Sequence, residues 1–126
     1  MVKRGKSGNP RYANGSERRA NRRRLRNEER PCWICEAFGR PSRIDYYLPA
    51  GHPGAFEVDE LIPVSRWREG GYRSPEACAS DYGNLAATHR ACNGWRGNKS
   101  VAEVLRIAAR ERGQVEDTRF PQPWGV

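Results

Sequence analysis

Asn84-Leu85-Ala86-Ala87-Thr88-His89-Arg90-Ala91-Cys92-Asn93-Gly94-Trp95-Arg96-Gly97-Asn98-Lys99 is the stretch on which the reading of this chain turns. His89 and Cys92 stand at knuckle spacing, and far upstream Cys32 and Cys35 repeat it. A Cys-x2-Cys turn bends its backbone round one ion, so two such pairs close a tetrahedral Cys3His zinc site. The metal then ties residue 32 to residue 92. A set in which Cys78 replaces His89 is the alternative, but Cys78 lies too far from Cys92 to share a knuckle. A buried, unligated thiol is the expectation there.

At 126 residues the chain supports one small domain, and the span between the paired ligands is short for a self-sufficient core. A metal staple is the usual remedy. The hydrophobic fraction is 37%, the charged fraction 30% and the mean hydropathy −0.94, values that point to solvated ends. Residues 1–15 have the composition of a flexible basic arm, residues 16–112 form the domain, and residues 113–126 read as a tail.

The net charge of +8 is unevenly placed. Residues 1–30 hold eleven Lys or Arg against three Glu, whereas the remainder is formally neutral. A polyanion is the natural partner of such a segment. No apolar run is long enough to span a membrane, and the basic start lacks the apolar region of a secretory signal. With a Cys-x2-Cys among four cysteines, a reducing, cytoplasmic setting is expected.

In chain order, Ser16 as N-cap opens a helix over 17–29, with Leu25 its one large apolar residue. It is too polar to be held by burial alone. A long irregular loop follows the first knuckle, with one short strand over 44–48, and His52 sits in a surface turn. Strands are expected over 56–62, ended by Pro63, and over 84–88. Between them, 65–74 form a loop, Ser74-Pro75 opens a short helix, and Gly83 ends it. A helix begins after the second knuckle and breaks near Asn98. Ser100 starts another over 101–112, with Val101, Val104, Leu105 and Ala108 on one face, and Gly113 stops it.

Taken in order, Cys-x2-Cys, Val58-Asp59-Glu60-Leu61-Ile62-Pro63-Val64-Ser65, Gly70-Gly71, Asn84-Leu85 and His89-x2-Cys92-Asn93 resemble the HNH nuclease family over roughly residues 30–100. The resemblance implies an α+β ββα-metal domain with one structural Zn2+ and one catalytic Mg2+ or Mn2+. It casts Asp59 and Asn93 as ligands of the catalytic ion and Asn84 as the residue that orients the base or its loop. Glu60 stands where the family has its base His. Three roles stay open for it: a base tuned upward by its neighbour, an additional metal ligand, or the mark of lost catalysis.

The implied activity is hydrolysis of phosphodiester bonds in double-stranded DNA, as endonuclease or nickase. The alternative is a zinc-binding DNA-binding or terminase-accessory module whose nuclease site has decayed. Arg18, Arg19, Arg22, Arg23 and Arg26 of the basic helix, with Arg90, Arg96 and Lys99 after the second strand, are the expected phosphate contacts. Small stand-alone chains of this kind, with a basic helix running into Cys-Trp-x-Cys, are typical of phage genomes, which implies a terminase as partner. Asp59→Ala is expected to abolish cleavage while leaving the melt intact.

Overall fold

Phe56–Glu60 (β1) and Leu85–His89 (β2) pair antiparallel, with Phe56 opposite His89 and Glu60 opposite Leu85. These come from the computed structural model, which describes the backbone of residues 15–119 and the side chains of 15–113. The arm up to residue 14 and the tail from 120 lie outside the described residues. The architecture is α+β: among the described residues, this two-stranded sheet, five α-helices, two 3-10 segments and long connections. β2 is buried along Leu85–Thr88, because helices cover it on both faces.

The basic helix α1 spans Gly15–Glu28, so Ser16 lies inside it and is not the cap. Leu25 is fully buried, but it is not the whole anchor. Arg22 lies 5.2 Å from the ring centre of Phe56, and Arg24 lies 3.8 Å from that of Tyr82. Asn21 Nδ2 donates to the Ser80 carbonyl at 2.9 Å, and the Tyr82 hydroxyl donates to Glu28 at 2.6 Å. Guanidinium planes thus do packing that aliphatic side chains would otherwise do. Their mutual repulsion is relieved within the fold by rings and by Glu28 and Glu60.

The first knuckle, expected as a turn, carries a helix of its own, α2 (Trp33–Phe38), which runs on into the start of the expected irregular loop. Cys32 caps it, and Gly39 ends it in the left-handed region at φ 71°, which glycine enters without penalty. The segment 44–48 is a turn and not a strand. Asp45 Oδ1 accepts from the Tyr47 amide at 3.0 Å, a side-chain bond that competes with any ladder. Ile44 and Tyr46 are buried, and the Tyr46 hydroxyl donates to the Arg30 carbonyl at 2.6 Å. His52 lies in an exposed turn, accepting from the Gly54 amide, as its sequence context suggests.

β1 is shorter than expected, ending at Glu60, and β2 begins one residue late, at Leu85. A 3-10 segment occupies Val64–Gly70, where a plain loop is expected. The helix α3 (Pro75–Ser80) has Ser74 as its cap and ends before Gly83, at Asp81. Arg90–Arg96 (α4) carries the second knuckle in its first turn. The last helix, α5 (Val101–Arg119), begins with a capping box: the Ser100 hydroxyl accepts from the Glu103 amide at 3.0 Å, and Glu103 accepts from the Ser100 amide at 2.8 Å. It runs through Gly113 instead of stopping there. Val104 and Ala108 are buried, whereas Leu105, expected beside them, is 49% exposed.

Two small apolar clusters result. One joins Leu25, Ile34, Ile44, Tyr46, Phe56, Leu85, Ala87 and Val104 to the cysteines, and the other gathers Ile62, Val64, Trp67, Tyr72 and Ala79 round Cys78. Neither is large. Cys78 is fully buried, donating to the Ile62 carbonyl at 3.5 Å, which agrees with its reading as a structural thiol.

Candidate functional site

Cys32 and Cys35 sit at the start of α2, His89 ends β2 and Cys92 lies in the first turn of α4. Their ligand atoms all fall within 4.8 Å of one another. Cys35 Sγ is 3.4 Å from His89 Nδ1 and 3.6 Å from Cys92 Sγ, and Cys92 Sγ is 3.8 Å from His89 Nδ1. Tetrahedral zinc–thiolate bonds of about 2.3 Å place neighbouring sulfurs about 3.8 Å apart, so the cluster has the size of a zinc site. His89 Nε2 lies 3.0 Å from the Arg43 carbonyl, which fixes the ring so that Nδ1 faces the sulfurs. Among the described residues, these four form the one group of three or more His, Cys, Asp or Glu side chains gathered closely enough to hold an ion.

Burial raises the pKa of Cys35, and burial together with the charge of Cys32 and Cys35 pushes that of Cys92 up to about 12. Three thiolates this close repel one another unless a cation stands between them.

A second constellation lies at the far end of β1. A cavity of about 300 Å3 is bordered by Asp59, Glu60 and Asn93, with Arg18 of α1 at its edge. Glu60 is mostly covered, and its Oε2 lies 3.6 Å from Arg18 Nη2. Asn93 Nδ2 donates to Glu57 Oε1 at 3.0 Å, and Glu57 also pairs with Arg90 at 3.5 Å. Asn84 is buried and does not line the cavity. Its Oδ1 accepts from the Ile62 amide at 2.8 Å, and its Nδ2 donates to the Ile62 carbonyl at 2.9 Å. The side chain therefore clamps the backbone just past Glu60.

Arg96 departs from expectation. Placed by sequence among the phosphate contacts, it is 2% exposed and cannot reach a duplex. Its Nη1 donates to Asp59 Oδ2 at 2.7 Å and to the Glu60 carbonyl at 3.1 Å, Nη2 to the Leu61 carbonyl at 2.7 Å, and Nε to the Lys99 carbonyl at 3.0 Å. Trp33 Nε1 donates to the same Asp59 oxygen at 2.8 Å. A guanidinium inserted here satisfies the carbonyls at and just past the end of β1 and compensates a buried carboxylate at once. Asp59 is therefore a structural anchor before it is anything else.

The other expected phosphate contacts divide. Arg19, Arg22, Arg23 and Arg90 are exposed and Arg18 is partly so, whereas Arg26 lies over Tyr46 and Lys99 donates to the Trp95 carbonyl at 3.0 Å. Glu57 and Trp33 carry no signal of their roles in the sequence, since their partners lie tens of residues away.

With carboxylate and amide oxygens beside a guanidinium, the cavity offers donors suited to a hard divalent cation and a fork suited to a phosphoryl group. No helix among the described residues is long and apolar enough to cross a membrane. Compared with protein-family models, with curated proteins and with solved structures, the chain matches none.

Proposed function

We propose that the chain is a metal-dependent nuclease of the HNH type, hydrolysing phosphodiester bonds in double-stranded DNA at the cavity where β1 ends. One observation carries this reading: Glu60 from β1 and Asn93 from α4, far apart in sequence, border a single cavity at the edge of a unit gathered by the Cys3His cluster. Glu60 accepts the proton of the attacking water. Arg18, already within 3.6 Å of it, faces the charge that develops on the phosphoryl oxygens. Asn84 keeps Glu60 aimed by holding Ile62.

Asp59 and Asn93 are the groups that would hold Mg2+ or Mn2+. Such an ion, when bound, neutralises charge on the phosphoryl oxygens and the leaving 3′-oxygen. In this reading the Cys3His site holds zinc and does no chemistry. A terminase is the proposed partner in DNA packaging, on the strength of the sequence resemblance.

A second reading rests on Arg96. Its guanidinium stands against the carboxylate expected to bind the catalytic ion, which suits a zinc-stapled DNA-binding module with no second metal. Counting metals separates the two. Titration of the zinc-loaded protein with Mn2+, followed by electron paramagnetic resonance, should show one further site that Asn93→Ala weakens. Zinc alone, with no saturable Mn2+ binding in the millimolar range, would establish the module.

A further inference from the structure

The arginines of α1 fall into two groups that do different work. Arg24 and Arg26 lie on Tyr82 and Tyr46, and their charges are engaged within the fold. Arg18, Arg19 and Arg22 line a cavity of about 480 Å3 between α1 and the sheet, although Arg22 also lies over the Phe56 ring and Arg18 is 3.6 Å from Glu60. Val58 and Leu85 form its apolar side. Glu57 also borders it, but that carboxylate is held by Arg90 at 3.5 Å and by Asn93 at 3.0 Å. Its charge is thus partly compensated by residues outside α1.

This cavity is not isolated. Arg18 and Val58 also border the smaller cavity lined by Glu60 and Asn93, so the two cavities adjoin at these residues. The geometry points to a phosphate seat: the α1 cavity takes a backbone phosphate of a nucleic-acid strand, next along the strand to the phosphate bound at Glu60 and Asn93. Its adjacency to a reacting phosphate rests on the nuclease reading; the seat itself does not.

Three guanidiniums on one wall match the forked oxygens of a phosphate better than the single carboxylates of an acidic peptide. The volume suits about one nucleotide, and the Val58–Leu85 side gives sugar or base an apolar surface. Arg18, common to both cavities, faces both phosphates and so sets the register of the strand. Direction follows too, since the strand must run from α1 across Val58 toward Asn93 and Gly97.

The test is binding, measured without divalent ion other than zinc. Fluorescence anisotropy of a labelled single-stranded thymidine octamer is followed against the full-length, zinc-loaded protein over a range of salt. Arg19→Ala and Arg22→Ala should each weaken binding about tenfold. Together they should reduce the slope of log affinity against log salt by about 0.7, the value for one phosphate contact on a single strand. Arg23→Ala, which removes the same charge from an exposed position on the same helix, should cost less than about threefold.

Equal losses at Arg23 would overturn the seat, since the affinity would then come from the general field of the helix. So would an unchanged salt slope, or thymidine monophosphate or polyglutamate binding as tightly as the octamer. Arg22 also packs on Phe56, so Arg22→Lys and thermal melts accompany it, and the exposed Arg19 carries the test if Arg22→Ala misfolds. Cleavage is scored apart. A protein that shows the arginine pattern but never cuts keeps the seat and loses the nuclease reading; one that cuts without the pattern does the reverse.

Discussion

Replacing Arg96 by Met should be among the most damaging single changes in this protein. The substitution keeps much of the volume and removes the charge, leaving Asp59 buried beside Trp33 without its counter-ion. Deleting one partner of a buried pair costs about 3–5 kcal/mol, because the other charge stays desolvated. The carbonyls of Glu60, Leu61 and Lys99 lose a donor as well, which places the loss toward the upper end. Domains of this size are stable by about 5–15 kcal/mol, so a third or more of the total is at stake. The melting temperature should fall by roughly 15–30 °C, at 4–8 °C per kcal/mol.

The assay is urea unfolding at fixed free zinc, read by tryptophan fluorescence, since Trp33 donates to Asp59 itself. Pairing Arg96→Met with Asp59→Asn removes both charges and keeps an oxygen for Trp33, and should recover most of the loss. If Arg96→Met unfolds within about 1 kcal/mol of wild type, the pair is solvated and does not anchor β1 on α4. The same reasoning reverses the expectation for Asp59→Ala. It strands a buried guanidinium, so its melt falls along with any loss of cleavage.

Other consequences are simpler to check. Cys35→Ser should leave a chain that neither holds one zinc per molecule nor melts cooperatively, because a structural site contributes its binding energy to folding; retained zinc by elemental analysis would break the ligand set. Zinc retention should also fall in acid. The thiols are raised in the metal-free fold, Cys92 to about 12, so zinc must expel their protons, and acid favours the protonated, empty site. A chromogenic chelator should therefore take zinc faster and more completely as pH falls toward about 5, whereas pH-independent release would contradict the assignment. Asn84→Ala removes both bonds to Ile62 and should cost about 2–3 kcal/mol while slowing any cleavage, since Glu60 loses its clamp.

What the sequence discloses of this molecule is largely what lies close together along it. The two knuckles are local patterns, and their meeting follows from the preference of zinc for four soft ligands. The breaks at Asn98 and the capping Ser100 are likewise local. The failures arise where distant residues decide. Aromatic, β-prone residues 44–48 have no neighbouring strand to pair with, so the Asp45 turn prevails. Gly113 costs a helix about 1 kcal/mol relative to Ala, too little to stop one anchored by Val104, Ala108 and the bond from Arg112 to the Ala37 carbonyl.

Arg96 shows the limit most clearly. In the sequence it is one more basic residue near a helix start, and its nature depends on a carboxylate and two carbonyls that arrive from β1. Similarly, the polarity of α1 argues against burial until the rings of Phe56 and Tyr82 are in place to receive its arginines. Arginine is ambiguous in a sequence because its stem and plane pack while its charge still needs a partner.

The central claim is that Glu60 serves as the base of a metal-dependent nuclease. It is tested most directly by converting supercoiled plasmid to nicked and linear forms with Mg2+ or Mn2+, comparing wild type with Glu60→Ala and Glu60→His. The account predicts that wild type cuts, that Glu60→Ala does not, and that all variants keep zinc and their melts. An inert wild type from which Glu60→His recovers cutting would contradict it and leave a protein whose work is to bind.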